Sequence, residues 1–313
     1  MNQPAILHTA WSSVATDLVD ELAEYGIETR RAETPAESRE LLADAEVAIT
    51  GRLPEELLEA APHLEWVQAM SSGVDYFPLA ELETREIALT NAAGIHAQPI
   101  AEQVLGYMIA FERNFHESFR NQQRGVWERV RGGELGDKTV GIVGLGAIGC
   151  RVAEFASALG MTVVGTKRDP STAPEVVDEA YGSDGLVEVL QASDYLVLAC
   201  PLTDETRELI GMPELRLLGP DAVLVNIARG GVVDEEALIR ALQNRTIRGA
   251  ALDVFEEEPL PRDSLLWELS NVIVTPHMAG STPHYAARLA TLFADHYEGY
   301  RAEGVSGLGE RVL

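Results

Sequence analysis

Short apolar runs alternate with longer amphipathic stretches from one end of the chain to the other, the pattern of successive β-α-β units feeding parallel sheets. The runs fall into two sets. In the first, strands are predicted over Ala5–Ala10, Glu46–Gly51, Leu64–Met70 and Ile87–Asn91, with helix-like segments such as Val14–Tyr25 between them. A long helical pattern over Gln98–Arg120 comes next, followed by an Arg- and Gly-rich loop segment, 122–137. The second set opens at Val140-Gly141-Ile142-Val143 and runs to about Thr275. A last helical pattern, Pro283–Arg301, follows that sheet, and a chain end returning to the first set would give two crossings between two domains. No repeat at solenoid spacing and no low-complexity segment interrupts the pattern.

Composition narrows the function classes. At 313 residues and 46% hydrophobic, the chain has material for one large or two ordinary domains, burying about three quarters of its unfolded surface. Fifty acidic residues against 24 basic ones give a net charge of −26, which argues against nucleic acid and anionic membranes as partners. Lys138 and Lys167 are the only lysines, which leaves 22 arginines. A GC-rich genome accounts for the arginines but not for the acid; a halophilic composition accounts for both, with salt screening the self-repulsion of the chain. Cys150 and Cys200 stand fifty positions apart with no metal-ligand spacing around them or among the seven histidines. Neither a disulfide framework nor a metal is expected. The N-terminal stretch has no basic segment ahead of a long apolar run, and no later stretch approaches bilayer length. A reducing, cytoplasmic setting is the expectation, without export or membrane span.

Candidate chemistry begins at Gly144-Leu145-Gly146-Ala147-Ile148-Gly149, a G-x-G-x-x-G directly after a short apolar strand and before the helical run Cys150–Leu159. In that setting the first glycine permits a tight turn and the second lets the backbone approach a pyrophosphate. The third allows close helix packing, with the helix N-terminus facing the anion. The next strand, Met161–Gly165, ends in Thr166-Lys167-Arg168. An NAD-selective site places an acid there for the ribose 2′-hydroxyl; a hydroxyl and two cations instead suit a 2′-phosphate and predict an NADP(H) preference. Asp169, one residue further, leaves NAD(H) open as the alternative.

Downstream, three apolar runs end in polar groups, where open α/β sheets bind ligands. Val225–Gly231 ends in Arg229, suited to a two-pronged contact with a carboxylate or 2-oxoacid. Ala251–Leu260 carries Asp253 and the acids Glu256, Glu257 and Glu258, among which spacing alone does not choose. Val274–Gly280 carries His277, a proton shuttle if a carboxylate supports its imidazolium.

Taken in order, G-L-G-x-I-G, P-L-T-x-E-T at Pro201–Thr206, N-I-A-R-G, L-D-V-F-E-x-E-P-L and T-P-H-x-A resemble the D-isomer-specific 2-hydroxyacid dehydrogenases over about residues 71–281. The resemblance implies an α/β fold of two Rossmann/flavodoxin-like domains with parallel sheets. The cofactor domain, 97–283, would be inserted in a substrate domain built from 1–96 and 284–313, with the active site in the cleft. It assigns Arg229, Glu258 and His277 as catalytic, choosing Glu258 among the three acids. Arg229 would hold the carboxylate and ketone of a 2-oxoacid, and His277 would protonate the carbonyl oxygen while Glu258 keeps it charged. Ser72, Gly73 and Val74, in Met70–Asp75, would bind the substrate carboxylate through backbone N–H groups; a plain turn capped by Asp75 is the other reading.

Cofactor contacts implied are Gly144–Gly149, Thr166, Lys167, Arg168, Cys200, Pro201, Thr206, Ile227, Ala228, Arg229, Asp253 at the nicotinamide amide, His277, Ala279 and Gly280. His96, in the segment resembling the interdomain hinge, departs from the usual small or polar residue, and Leu53, Trp66, Met70, His96 and Tyr297 are the candidates for setting pocket size. The expected reaction is NADP(H)-preferring reduction of 2-oxoacids to (R)-2-hydroxyacids. The alternatives are a glyoxylate/hydroxypyruvate reductase, a phosphoglycerate dehydrogenase, which would want further cations and a regulatory extension, and a nicotinamide-sensing binding protein. A homodimer is expected, with Gln98–Trp127 contributing to its interface.

Overall fold

A computed structural model describes residues 3–9, 12–74, 77–309 and 311–313. The chain forms two compact units, one made of 1–96 with 282–313 and the other of 97–281.

The first unit is built on a five-stranded parallel sheet. In chain order the strands are β1 (Ala5–Ile6), β2 (Arg30–Arg31), β3 (Val47–Thr50), β4 (Trp66–Ala69) and β5 (Ala88–Thr90), arranged β2-β1-β3-β4-β5. That order is the flavodoxin-like one. β2 escapes the hydrophobicity pattern because it is two half-buried arginines paired with β1 at the sheet edge. The Ala10 end of the first expected strand lies outside the described residues.

One face of this sheet is covered by helix Ser12–Glu24, through Leu18 and Leu22, and by the returning helix Tyr285–Glu303, through Leu289, Phe293 and Tyr297. Trp66 is the centre of that layer. Its indole stacks on Phe293 at 5.0 Å, and its N–H donates to the Thr90 hydroxyl at 2.8 Å, which donates in turn to Gln68 Oε1. A fully buried indole needs such a partner, and truncating it removes about 3–5 kcal/mol. Leu53, Trp66 and Met70 are wholly inside the unit and Tyr297 nearly so, which assigns these four to the core. His96 is half-buried against the Tyr285 ring at 5.2 Å.

The second unit carries a seven-stranded parallel sheet: β6 (Thr139–Val143), β7 (Thr162–Thr166), β8 (Glu179–Tyr181), β9 (Tyr195–Leu198), β10 (Val223–Asn226), β11 (Gly249–Leu252) and β12 (Val272–Val274). They lie in the order β12-β11-β10-β9-β6-β7-β8, so the direction of winding reverses between β6 and β9. The inner strands β9, β10 and β11 are buried at every position, as a sheet covered on both faces requires. The expected helix Gln98–Arg120 is two helices, Ala97–Glu112 and Phe115–Gln123. Asn114 breaks it by entering the left-handed region at φ 53°, its amide bonded to the Arg131 carbonyl at 2.7 Å. The first of the pair packs Ile100, Val104, Met108 and Phe111 into the core. The second buries nothing, leaving Phe115, Phe119 and, beyond it, Trp127 exposed.

Candidate active site

The glycine loop joins β6 to helix Ala147–Ala158, which begins three residues before the predicted start at Cys150. Each glycine answers a separate requirement. Gly144 has φ 101°, and a Cβ there would press on the Ala199–Cys200 backbone. A Cβ on Gly149 would lie 2.1 Å from the Gly144 carbonyl oxygen. Around Gly146, at the helix N-cap, nothing stands within 4 Å of that position, so the open side of the loop is at the N-terminus where a pyrophosphate would sit. The residues present therefore fit a dinucleotide. Gly146 and Ala147 are exposed there and Ile148 is half-buried, while Leu145 points into the core.

Thr166 closes β7 and is buried. Its hydroxyl accepts from Gly144 N–H at 3.2 Å and its carbonyl from Leu145 N–H at 2.9 Å, so it clamps the loop from the neighbouring strand. Lys167 is half-buried and Arg168 exposed; neither forms an ion pair among the described residues. The Asp169 carboxylate caps the short turn Pro170–Thr172, accepting from Ser171 N–H at 3.1 Å and Ser171 O–H at 2.6 Å. Those two bonds, with the nearby Lys167 charge, hold its carboxyl below the usual range.

Beyond β9, Cys200 is buried, which pushes its thiol up. Pro201 is exposed, and its carbonyl accepts from the Thr206 hydroxyl at 2.6 Å.

At the end of β10, buried Asn226 shapes the Arg229 turn. Its side chain accepts from Ala228 N–H and donates to the Arg229 carbonyl, both at 3.0 Å. Ile227 and Ala228 are buried, while Arg229 is half-buried with Nη1 on the Ala228 carbonyl at 2.8 Å. The glycine after it is obligatory, since a Cβ on Gly230 would lie 1.9 Å from the Phe255 carbonyl carbon. This close approach packs the Arg229 turn directly on the backbone that leads to Glu258.

Glu258 and His277 form the centre of the site. His277 Nδ1 lies 2.6 Å from Glu258 Oε2, and Glu258 Oε1 accepts from Phe255 N–H at 3.0 Å. The carboxylate thus has one oxygen pinned by backbone and the other on the imidazole. The hydrogen bond to Glu258 raises the His277 pKa against the opposing effect of burial; the charges of Glu258 and Asp253 raise it further, while Arg229 lowers it. Burial pushes Glu258 up, but the bonds from His277 and Phe255 N–H and the charges of His277 and Arg229 outweigh it, and its pKa is lowered. Glu256 and Glu257 are exposed; Glu256 N–H is held by Glu235 at 3.2 Å.

His277 itself sits in the left-handed region, at φ 47°. Such a conformation costs about 1–3 kcal/mol and persists only where the surroundings over-determine it. Asp253 supplies that restraint. Its carbonyl accepts from His277 N–H at 2.8 Å, Oδ1 from Met278 N–H at 3.0 Å and Oδ2 from Ala279 N–H at 2.9 Å. The Thr275 hydroxyl bonds Oδ1 as well. Asp253, expected at the nicotinamide amide, is buried, and in this structure its carboxylate braces the loop that carries His277, Ala279 and Gly280. Neither periodicity nor motif spacing signalled this role.

In the first unit, the loop after β4 is fixed by side chains. Ser71 donates to the Gly73 carbonyl at 2.7 Å and Ser72 to the Ala92 carbonyl at 2.8 Å, while Asn91 donates to the Ser72 carbonyl at 2.7 Å. No acceptor among the described residues takes the N–H groups of Ser72, Gly73 or Val74. Asp75, the alternative cap, lies outside the described residues. Among the described residues there is no group of His, Cys, Asp and Glu that could hold a metal ion, and no helix is long and apolar enough to cross a membrane.

A two-unit α/β fold with a glycine-loop sheet and an Arg–Glu–His constellation is that of a dinucleotide-dependent dehydrogenase. Residues 105–279 match the family description "D-isomer specific 2-hydroxyacid dehydrogenase, NAD binding domain". The chain is 37% identical over 288 residues to the D-3-phosphoglycerate dehydrogenase of Methanocaldococcus jannaschii, covering 89% of this chain and 54% of that one; it thus spans about half the length of that relative. It is 33% identical over 300 residues to glyoxylate/hydroxypyruvate reductase B of Yersinia pestis, covering 91% of each. Among solved structures, the NADPH-dependent glyoxylate/hydroxypyruvate reductase of Sinorhizobium meliloti in complex with NADP and sulfate superposes with a TM-score of 0.86 at 26% identity. The match covers 99% of this chain and 98% of that one. The chain belongs to the D-isomer specific 2-hydroxyacid dehydrogenase family, whose members are NAD(P)-dependent oxidoreductases.

Proposed function

We propose that this protein reduces a small 2-oxoacid to the (R)-2-hydroxyacid, with NADP(H) as the preferred cofactor and glyoxylate or hydroxypyruvate as the substrate class. The observation that carries the reading is the 2.6 Å contact between His277 and Glu258, with Arg229 among the charges that act on both. The nicotinamide, when bound, supplies the hydride to the substrate carbonyl carbon. As the carbonyl oxygen gains charge, His277 gives it the proton, and Glu258 stabilises the imidazolium beforehand and accepts the neutral imidazole's Nδ1–H afterwards. Arg229 holds the carboxylate and polarises the ketone, and the N–H groups of Ser72, Gly73 and Val74, which have no acceptor among the described residues, are the further donors proposed for the carboxylate.

The NADP(H) preference is supported by Lys167 and Arg168 just beyond β7, where an NAD-selective site carries an acid. It also accords with the NADPH-dependent reductase of Sinorhizobium meliloti. The relative matched over 91% of both lengths favours the glyoxylate/hydroxypyruvate class over phosphoglycerate. A homodimer is part of the reading, resting on the exposed Phe115, Phe119 and Trp127, the last 98% accessible. So is a cytoplasmic setting, from two free cysteines.

The test is initial rates of NADPH and NADH oxidation against glyoxylate, hydroxypyruvate, pyruvate and longer 2-oxoacids. Turnover of the small acids with NADPH is expected. Cofactor binding without turnover of any of them overturns the reading in favour of a nicotinamide-sensing binding protein.

A further inference from the structure

Helix Ala97–Glu112 presents Gln103 and Tyr107, one turn apart, to the loop that carries His277. Gln103 Nε2 donates to the Tyr107 hydroxyl oxygen at 2.9 Å, the Tyr107 hydroxyl pairs with that of Thr275, and the Thr275 hydroxyl bonds Asp253 Oδ1. The direction of this row follows from valence. Both Asp253 oxygens already accept backbone N–H groups, so the carboxylate is the acceptor for Thr275, which spends its single hydrogen there. Tyr107 must then donate to Thr275 and receive the Gln103 amide. Every hydrogen in the row points toward Asp253, and each bond polarises the next.

Asp253 is the anchor of the His277 backbone, through three bonds to successive N–H groups of residues 277, 278 and 279. Tyr107 is itself buried, with its ring in the hydrophobic cluster, so its hydroxyl is a polar group set deep in a core position for which a leucine or phenylalanine would serve. A buried hydroxyl is tolerated only when bonded, and these two bonds satisfy it.

We propose that Tyr107 is a positioning residue for proton transfer: through Thr275 and Asp253 it fixes the loop and the charge behind the His277 imidazole. The proposal deepens the functional reading and rests on His277 being the proton donor. The charged groups that act on the imidazole are Glu258, Asp253 and Arg229, and Tyr107 reaches it only through Asp253. No proton travels along the row. Its part is to hold the carboxylate where its carbonyl and both oxygens meet the His277–Ala279 backbone.

The experiment compares wild type with Tyr107→Phe, which keeps the ring in the core, and with Thr275→Val and Thr275→Ser. Two quantities are read: the pH profile of kcat/KM for 2-oxoacid reduction, and the titration of the His277 imidazole by NMR, with His277→Gln identifying the resonance. Tyr107→Phe is expected to lower kcat/KM about three- to ten-fold, the effect of one hydrogen bond. The alkaline limb and the imidazole titration should both move to lower pH, with the Kd for NADPH unchanged. Thr275→Val should exceed it, and Thr275→Ser should restore wild-type behaviour. An unmoved imidazole titration in Tyr107→Phe overturns the proposal, as does a loss traced wholly to weaker cofactor binding and a lower Tm. Because the titration needs no substrate, a protein that shows the shift but reduces no 2-oxoacid sinks the functional reading alone.

Discussion

Replacing Glu258 by Gln removes one charge and keeps the shape, so its consequence can be worked from two bonds. In the native protein Oε1 accepts from Phe255 N–H at 3.0 Å and Oε2 faces His277 Nδ1 at 2.6 Å. A carboxylate accepts at both. A glutamine cannot: if its oxygen takes Phe255 N–H, its NH2 confronts the imidazole and demands a neutral ring with an unprotonated Nδ1. A charge-assisted bond of this kind is worth about 1.5–3 kcal/mol. The imidazole is 44% exposed and the carboxylate 33%, so solvent screening reduces this to about 1–2 kcal/mol. That difference corresponds to roughly a five- to thirty-fold loss of imidazolium, and of reduction rate, at alkaline pH.

The sign follows from the direction of the native shift. Glu258 raises the His277 pKa, so reduction is supported below that pKa and lost as pH rises through it. In Glu258→Gln the loss begins at lower pH, whereas oxidation of the hydroxyacid, which needs neutral His277, gains at its acid limb. The assay is kcat/KM in both directions from acid to alkaline pH, since this parameter reports groups of the free enzyme. Identical alkaline limbs in the variant and the wild type would refute the role of the ion pair.

Three further outcomes are expected. Lys167→Ala with Arg168→Ala should raise KM for NADPH relative to NADH by roughly thirty- to a hundred-fold, equivalent to about 2–3 kcal/mol; equal effects on both cofactors would remove the phosphate-binding role. Gly230→Ala places a Cβ 1.9 Å from the Phe255 carbonyl carbon, and should lower stability by ~1–3 kcal/mol in denaturant titrations and kcat more than cofactor affinity. Lowering the salt concentration should lower Tm through self-repulsion of a chain of net charge −26, and a Tm independent of salt would contradict the halophilic reading.

The alternation of apolar runs and the glycine spacing made the parallel sheets and the dinucleotide loop legible, because each depends on local residue types: inner strands need continuous apolar runs, and Gly144 and Gly149 are positions a side chain cannot occupy. Residues that act at a distance were not legible. The family resemblance pointed Asp253 at the nicotinamide amide, but nothing local in the sequence showed that its oxygens also serve N–H groups at Met278 and Ala279, far along the chain. Tyr107 carries no signal within the helical pattern Gln98–Arg120, because its partner Thr275 is 168 residues away. The break at Asn114 was hidden because helical periodicity resumes at once after a single left-handed residue. Strand β2 was hidden because an edge strand of two arginines has no apolar signature.

The left-handed backbone at His277 also limits what can replace it. Glycine, asparagine, aspartate and histidine visit that region at least cost, and asparagine and aspartate are each one nucleotide change from a histidine codon. Either would keep the course of the loop while removing the imidazole that the proposed reaction uses as its acid. On the proposed mechanism, a descendant that still clasps its coenzyme but no longer turns over substrate is a single mutation away, a short evolutionary step from catalyst to sensor.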